Sequence, residues 1–373
     1  MSGTTPSTAQ ARPHETGGVF GPDGVPTSPR PVASTSRGSL LLAELSRLRH
    51  RRLVAALLLL GLVTIIGAMG VVFATHTTDV AAAHAKAQHQ LAEESKNQQV
   101  YAQQCLADPG IPQSEKDNGA CDMGTLTEDL FFVDPRFRAD PGLPMVATGI
   151  GVGGALLAAL LAATGVGADW SSRSIVTLLT WEPRRLRFLG ARLAAIAGFV
   201  AAVGVAAQAL GLGLGALTVQ LRGTWQDAPP PGPEQSYDTG MLTAGHFWPE
   251  LLALQLRAVL IMVLVALVAA TLATVFRSTG GVLGVAFGWF AVVEVGVHAV
   301  FGGRWVVRYL LTENLAAAII PGGNDLYIGQ HLTANGMEPR LVHLSNGAGL
   351  LYLVVLAGAL CVVAAALLRR RDL

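Results

Sequence analysis

Lysine is almost missing from this chain: there are three in 373 residues, Lys86, Lys96 and Lys116, and none follows a glycine. The pattern GxxxxGK followed by Ser or Thr is therefore absent, and the chain cannot build the loop with which P-loop ATPases cradle nucleotide phosphates. HExxH, GxSxG and paired CxxC are absent too, and the nine histidines are scattered without ligand spacing. These gaps exclude the usual zinc-peptidase, serine-hydrolase and cysteine-ligated readings, so no catalytic, cofactor-binding or metal-ligating residue is expected. Charge is scarce at 14% of residues, with a net of +1, and no nucleic-acid partner is expected. Cysteine is limited to Cys105, Cys121 and Cys361.

What the chain has in abundance is apolar sequence, 51% of residues with a mean hydropathy of +0.47. A bilayer core about 30 Å thick needs about 20 mostly apolar residues per helix, because every backbone N–H and C=O must be satisfied within the segment. Six stretches qualify: 53–75, 144–164, 188–219, 258–276, 281–301 and 347–368. The sequence thus predicts an all-α membrane protein with one six-helix domain over residues 53–373. The third stretch exceeds what a span requires and should tilt or project.

An even number of spans puts both termini on one side, and the arginines choose which. Twelve lie near span ends on the terminal side, Arg47, Arg49, Arg51, Arg52, Arg173, Arg184, Arg185, Arg187, Arg277 and Arg369 to Arg371, whereas Arg222, Arg257, Arg304, Arg308 and Arg340 are the five opposite. The positive-inside rule predicts cytoplasmic termini in a plasma membrane. The arginine-rich, lysine-poor composition with abundant Ala and Gly points to a bacterial source.

Residues 1–38 are 23 parts Pro, Gly, Ser and Thr, with little to bury, and should form a disordered cytoplasmic tail. Residues 39–52, SLLLAELSRLRHRR, then place Leu41, Leu45 and Leu48 with arginines opposite, the pattern of an amphipathic helix on the inner leaflet, with Glu44, Arg47 and Arg49 as its candidate contact residues. Such a helix either anchors the bundle in lipid or also touches a cytoplasmic partner. The loop 76–143 carries 5 basic against 11 acidic residues and suits the outside. Its first part, 79–104, is polar and helix-favouring; the return is broken by Pro and Gly. Cys105 and Cys121 both fall in it, and a disulfide between them is expected in an oxidising compartment. The loop is either a solvated cap or a substrate receptor.

Within the spans, Glu294 and His298 stand four residues apart on one helix face. Ionisable residues in a span are functional suspects, so these two, with Gln208 in the third span, are candidates for a substrate path, although helix-to-helix hydrogen bonding explains them equally. Gly149 with Gly153, Gly211 with Gly215, and Gly280, Gly284 and Gly288 follow GxxxG, which supports close helix packing.

The most informative segment is 165–187, GVGADWSSRSIVTLLTWEPRRLR. It is too polar for lipid and too short for a domain, so it is expected to be a cytoplasmic loop. Trp170 and Trp181 bracket a stretch, 174–179, that could form a short helix; Glu182 before Pro183 ends it, and Arg184, Arg185 and Arg187 follow at the lipid surface.

This arrangement resembles the permease subunits of ABC-2 type ABC transporters, whose first cytoplasmic loop has an acidic residue after Gly, a short helix and a Pro-Arg step. The matching residues are Gly167, Asp169, Leu178, Leu179, Pro183, Arg184 and Arg185, and the six-span plan, the basic amphipathic helix and the Pro-Gly step at Pro321 and Gly322 agree. Many relatives have Glu at Asp169, Gly-Thr at Arg173 and Ser174, and Lys at Arg192. The resemblance implies a coupling loop that docks into a separate ATPase through Gly167, Asp169, Trp170, Arg173, Trp181, Glu182, Pro183, Arg184 and Arg185. It also implies a second permease, identical or related, with ATP and Mg held in the partner ATPase rather than here. A second class stays open: a membrane-anchored sensor or accessory protein that binds a ligand through its 76–143 loop.

Overall fold

Six helices of the computed structural model are long and apolar enough to cross a membrane: Arg52–Thr75, Ala139–Ser171, Arg185–Arg222, Phe247–Phe276, Thr279–Phe301 and Asn346–Arg370, here the first to sixth spans. The protein is mostly helical and is built as a multi-pass membrane protein. The structure describes residues 37–172, 184–225, 246–333 and 336–370. The expected tail up to residue 36, the short helix 174–179 and Arg371 lie outside the described residues.

Every span runs longer than its apolar core. A rise of about 1.5 Å per residue makes the 33-residue second span roughly 50 Å long, well beyond the hydrocarbon thickness. Arg257, counted above with a loop, lies inside the fourth span for the same reason: a helix continues as long as its backbone bonds are made, whatever the hydropathy of its first turns.

The fourth span is the axis of the bundle. Leu254, Ala258, Ile261, Ala266, Ala270 and Ala273 are fully buried, and the many alanines let it approach the second span closely along most of its length. The first span is the opposite case, with only Val54 and Met69 buried. A preceding helix, Arg37–Arg49, two residues earlier at its start and three shorter at its end than the reading above, packs on the third span. Glu44 and Leu48 are its buried residues; Leu41 and Leu45 stay exposed.

The 76–143 segment folds as a helix, Val80–Ala107, and a return with a short helix, Gln113–Asp117, and a two-residue strand, Phe137–Arg138, paired with Gly223–Thr224, before the second span begins at Ala139. Asp79 caps the helix by accepting from Ala82 N at 2.9 Å, and Cys105 is disulfide-bonded to Cys121. His84 stacks on Phe132 and meets the Glu128 carboxylate at 2.7 Å; that contact holds the Glu128 carboxyl below its usual range.

The all-α expectation needs a larger correction beyond that short strand pair. Residues Asn324–Thr333 and Gly336–Leu344 form an antiparallel hairpin between a half-helix, Leu311–Ile319, and the sixth span. Tyr327, Ile328 and Val342 favour strands, and Leu326 and Leu344 anchor the base against Ala317 of the half-helix. The apolar content of this segment alternates instead of running continuously, so a search for spans passes over it.

Candidate functional site

Residues 165–171 are not a loop. They form the last turns of the second span, where Gly165, Val166, Gly167 and Asp169 are all buried. The polar sequence misleads because its one acidic side chain is neutralised by arginines from other segments. Arg51, the residue capping the first span, donates to Asp169 Oδ1 at 2.5 Å and to the Gly165 carbonyl at 2.7 Å. Arg192, two turns into the third span, donates to Asp169 Oδ2 and, at 3.0 Å, to the same Gly165 carbonyl. Arg47 of the amino-terminal helix lies 3.5 Å from Asp169 and 3.3 Å from Glu44.

Asp169 is 3% exposed and Arg192 5%, so the centre of this cluster of three guanidiniums and two carboxylates is removed from water, while Arg47 and Arg51 reach its rim. A small cavity is lined by Glu44, Arg51, Gly165, Asp169 and Arg192, and has room for about one water molecule. Arg192 Nη1 is buried with no acceptor among the described residues, and one ordered water there would satisfy it.

The same turns touch the remaining spans. Gly167 lies against the backbone of Thr279, where the fifth span begins. Trp170 packs beneath the Arg277 guanidinium, 4.8 Å from its ring centroid, and Arg277 closes the fourth span in the left-handed region with φ of 54°. Arg185 Nη1 donates to the Leu368 carbonyl at 3.2 Å, filling an acceptor that the end of the sixth span leaves open. Both flanks of residues 173–183 are thus fastened at a point where all six spans converge.

Of the residues proposed from sequence, Glu44, Arg47, Gly167, Asp169, Trp170 and Arg185 gather here, while Arg184 is exposed at the start of the third span and Arg49 is exposed outside the cluster. Arg173, Trp181, Glu182 and Pro183 lie outside the described residues. Arg51, Arg192, Arg277 and Thr279 were missed as site residues. The signal for Arg192 was available: an arginine inside an apolar helix needs an acidic partner, and Asp169 is the one acidic residue near that end of the second span.

At the opposite end, Glu294 terminates a π-helical stretch, Trp289–Glu294, within the fifth span. Its carboxylate accepts from Trp289 Nε1 at 2.9 Å, Leu311 N at 2.9 Å, Thr312 N at 3.2 Å and Thr312 Oγ1 at 2.5 Å. It therefore caps the half-helix, whose first N–H groups have no partner of their own. His298 does not pair with it but reaches Glu313 of the same half-helix at 2.9 Å. Gln208 donates to the Ala147 carbonyl at 3.0 Å and ties the third span to the second. Glu294→Gln puts an amide where donors converge, and should lower stability by roughly 1–3 kcal/mol. A thermal melt in detergent checks it; an unchanged midpoint would show that the cap contributes nothing.

Comparison with known proteins finds no relative: no protein-family model matches the chain, nor does any curated protein or solved structure.

Proposed function

We propose that the chain is the membrane permease subunit of an ATP-driven transporter, working as an exporter, with its ATPase in a separate protein that docks on the 165–187 segment. One observation supports it above the rest: both flanks of residues 173–183 are tied to all six spans through Asp169, Gly167, Trp170 and Arg185. A force applied to that short segment reaches every span through short, partly buried contacts. A loop that merely joined two helices would not need them.

The ATPase would carry ATP and Mg, and a second permease would complete the pathway. In this reading the basic end faces the cytoplasm of a bacterial plasma membrane, as the arginine distribution favours. The helix Arg37–Arg49 then lies on the inner leaflet as an amphipathic interfacial helix. The 76–143 segment, with its disulfide, is the extracellular loop. The chemistry of this chain is conformational, so none of its residues is catalytic.

The test is Arg184→Glu with Arg185→Glu, in complexes isolated from the native membrane through a tag on this chain. Membrane insertion should be retained, while co-purification of a P-loop ATPase with an ABC signature and substrate-stimulated hydrolysis should be lost. Arg184→Glu alone, which leaves the contact to Leu368 in place, separates docking from packing. Unchanged co-purification and hydrolysis in both variants would refute the docking role.

A further inference from the structure

Beyond the exposed Asp325–His343 pair at its base, the hairpin carries a bare and largely apolar face from Tyr327 to its tip. Directly opposed residues share a face, and side chains alternate along each strand. The pairs Tyr327 with Leu341, Gln330 with Pro339 and Leu332 with Met337 therefore lie on one side, kept in phase by a bulge between Tyr327 and Gln330. His331, Glu338 and Arg340 lie on the other side near the tip, and on that side at the base Leu326 and Leu344 are buried on Ala317. Among the described residues nothing covers the apolar face: Leu332 is 79% exposed, Met337 66% and Leu341 55%.

Such a face on a two-stranded element, which has no second layer to bury it, needs an occupant. Its base shows which. The Tyr327 ring lies over Gly303, beside the short turn Trp305–Tyr309. Tyr352, in the second turn of the sixth span, donates its hydroxyl to the Tyr309 carbonyl at 3.1 Å. The turn therefore sits level with the mouth of the sixth span, at the depth of the lipid headgroups. Trp305 and Tyr309, both mostly exposed and stacked edge to face, are the side chains that favour that depth. They join the apolar hairpin face to the exposed surface of the fifth span at Val300 and Phe301.

We infer that the hairpin lies on the bilayer at this end of the bundle, with Tyr327, Leu332, Met337 and Leu341 in the headgroup and acyl boundary and Glu338 and Arg340 toward water. The occupant of the apolar face is lipid, continuous with the lipid around the spans. This follows from the six spans and holds whatever the chain transports.

The experiment places single cysteines at Leu332, Met337, Glu338 or Arg340 in a Cys361→Ser background, each carrying a polarity-sensitive fluorophore. The full chain is reconstituted in phosphatidylcholine nanodiscs with or without doxyl-labelled phosphatidylcholine. Probes at 332 and 337 should emit at shorter wavelength, be quenched several-fold more by doxyl lipid than those at 338 and 340, and be shielded from iodide. Equal iodide access at all four positions with no lipid quenching would overturn the inference. So would shielding at 332 that persists in detergent together with crosslinks between 332 positions of two chains, since a second copy would then be the cover.

Discussion

Asp169→Ala should destabilise the protein by about 3–5 kcal/mol, the usual effect of removing one partner from a buried ion pair. Arg192 has no route to water when it loses that carboxylate, being 5% exposed and held between spans. Arg51 would keep only the Gly165 carbonyl. The measurement is the thermal midpoint of the detergent-solubilised protein, followed by tryptophan emission. The double variant Asp169→Leu with Arg192→Leu should recover a large part of the loss, because replacing both partners of a buried pair with apolar groups is often neutral. A double variant as unstable as the single one would show that the loss does not arise from a stranded arginine.

Gly167→Val should act through shape alone. A Cβ at Gly167 would sit 2.6 Å from the Thr279 backbone nitrogen and 3.0 Å from its Cα. Backbone atoms cannot rotate aside, so the end of the second span must back away from the start of the fifth. Overpacking of this kind costs about 1–3 kcal/mol and occasionally more. It would also pull Asp169 and Trp170 off their partners one turn further along. Gly149→Ala is the matched control, since a Cβ there meets nothing within 4 Å. It should raise stability by up to about 1 kcal/mol through helix propensity. Equal melts for the two variants would show that the Gly167 contact is slack.

The contrast between those glycines shows what the sequence could and could not reveal. GxxxG spacing picked out Gly149, Gly153, Gly280, Gly284 and Gly288, yet a Cβ at any of them meets nothing. Gly211 and Gly215 do press on Ile150 and Leu143 of the second span. Spacing alone cannot tell which side of a helix meets protein and which meets lipid, because both sides are apolar. Span number was legible because lipid imposes a length on each segment. Span ends were not: the buried turns at Gly165 to Asp169 are solvated by guanidiniums from positions far away in the chain, Arg51 being 118 residues from Asp169. The hairpin was missed for a related reason, since its alternating pattern never builds the continuous run that marks a span. Glu294 was legible as unusual, whereas its role depended on a half-helix seventeen residues later whose first N–H groups needed an acceptor.

The separation of Arg51 from its partners also orders the birth of the molecule. When the first span leaves the ribosome, neither Asp169 nor Arg192 yet exists, and at about 5–20 residues per second on the order of ten seconds pass before the third span arrives. Until then the amino-terminal helix and the first span, which buries only Val54 and Met69, have almost nothing of their own chain to hold them in place. The arginine cluster therefore closes only with the third span, and it fastens the first three spans together before the fourth, the axis of the bundle, has been made.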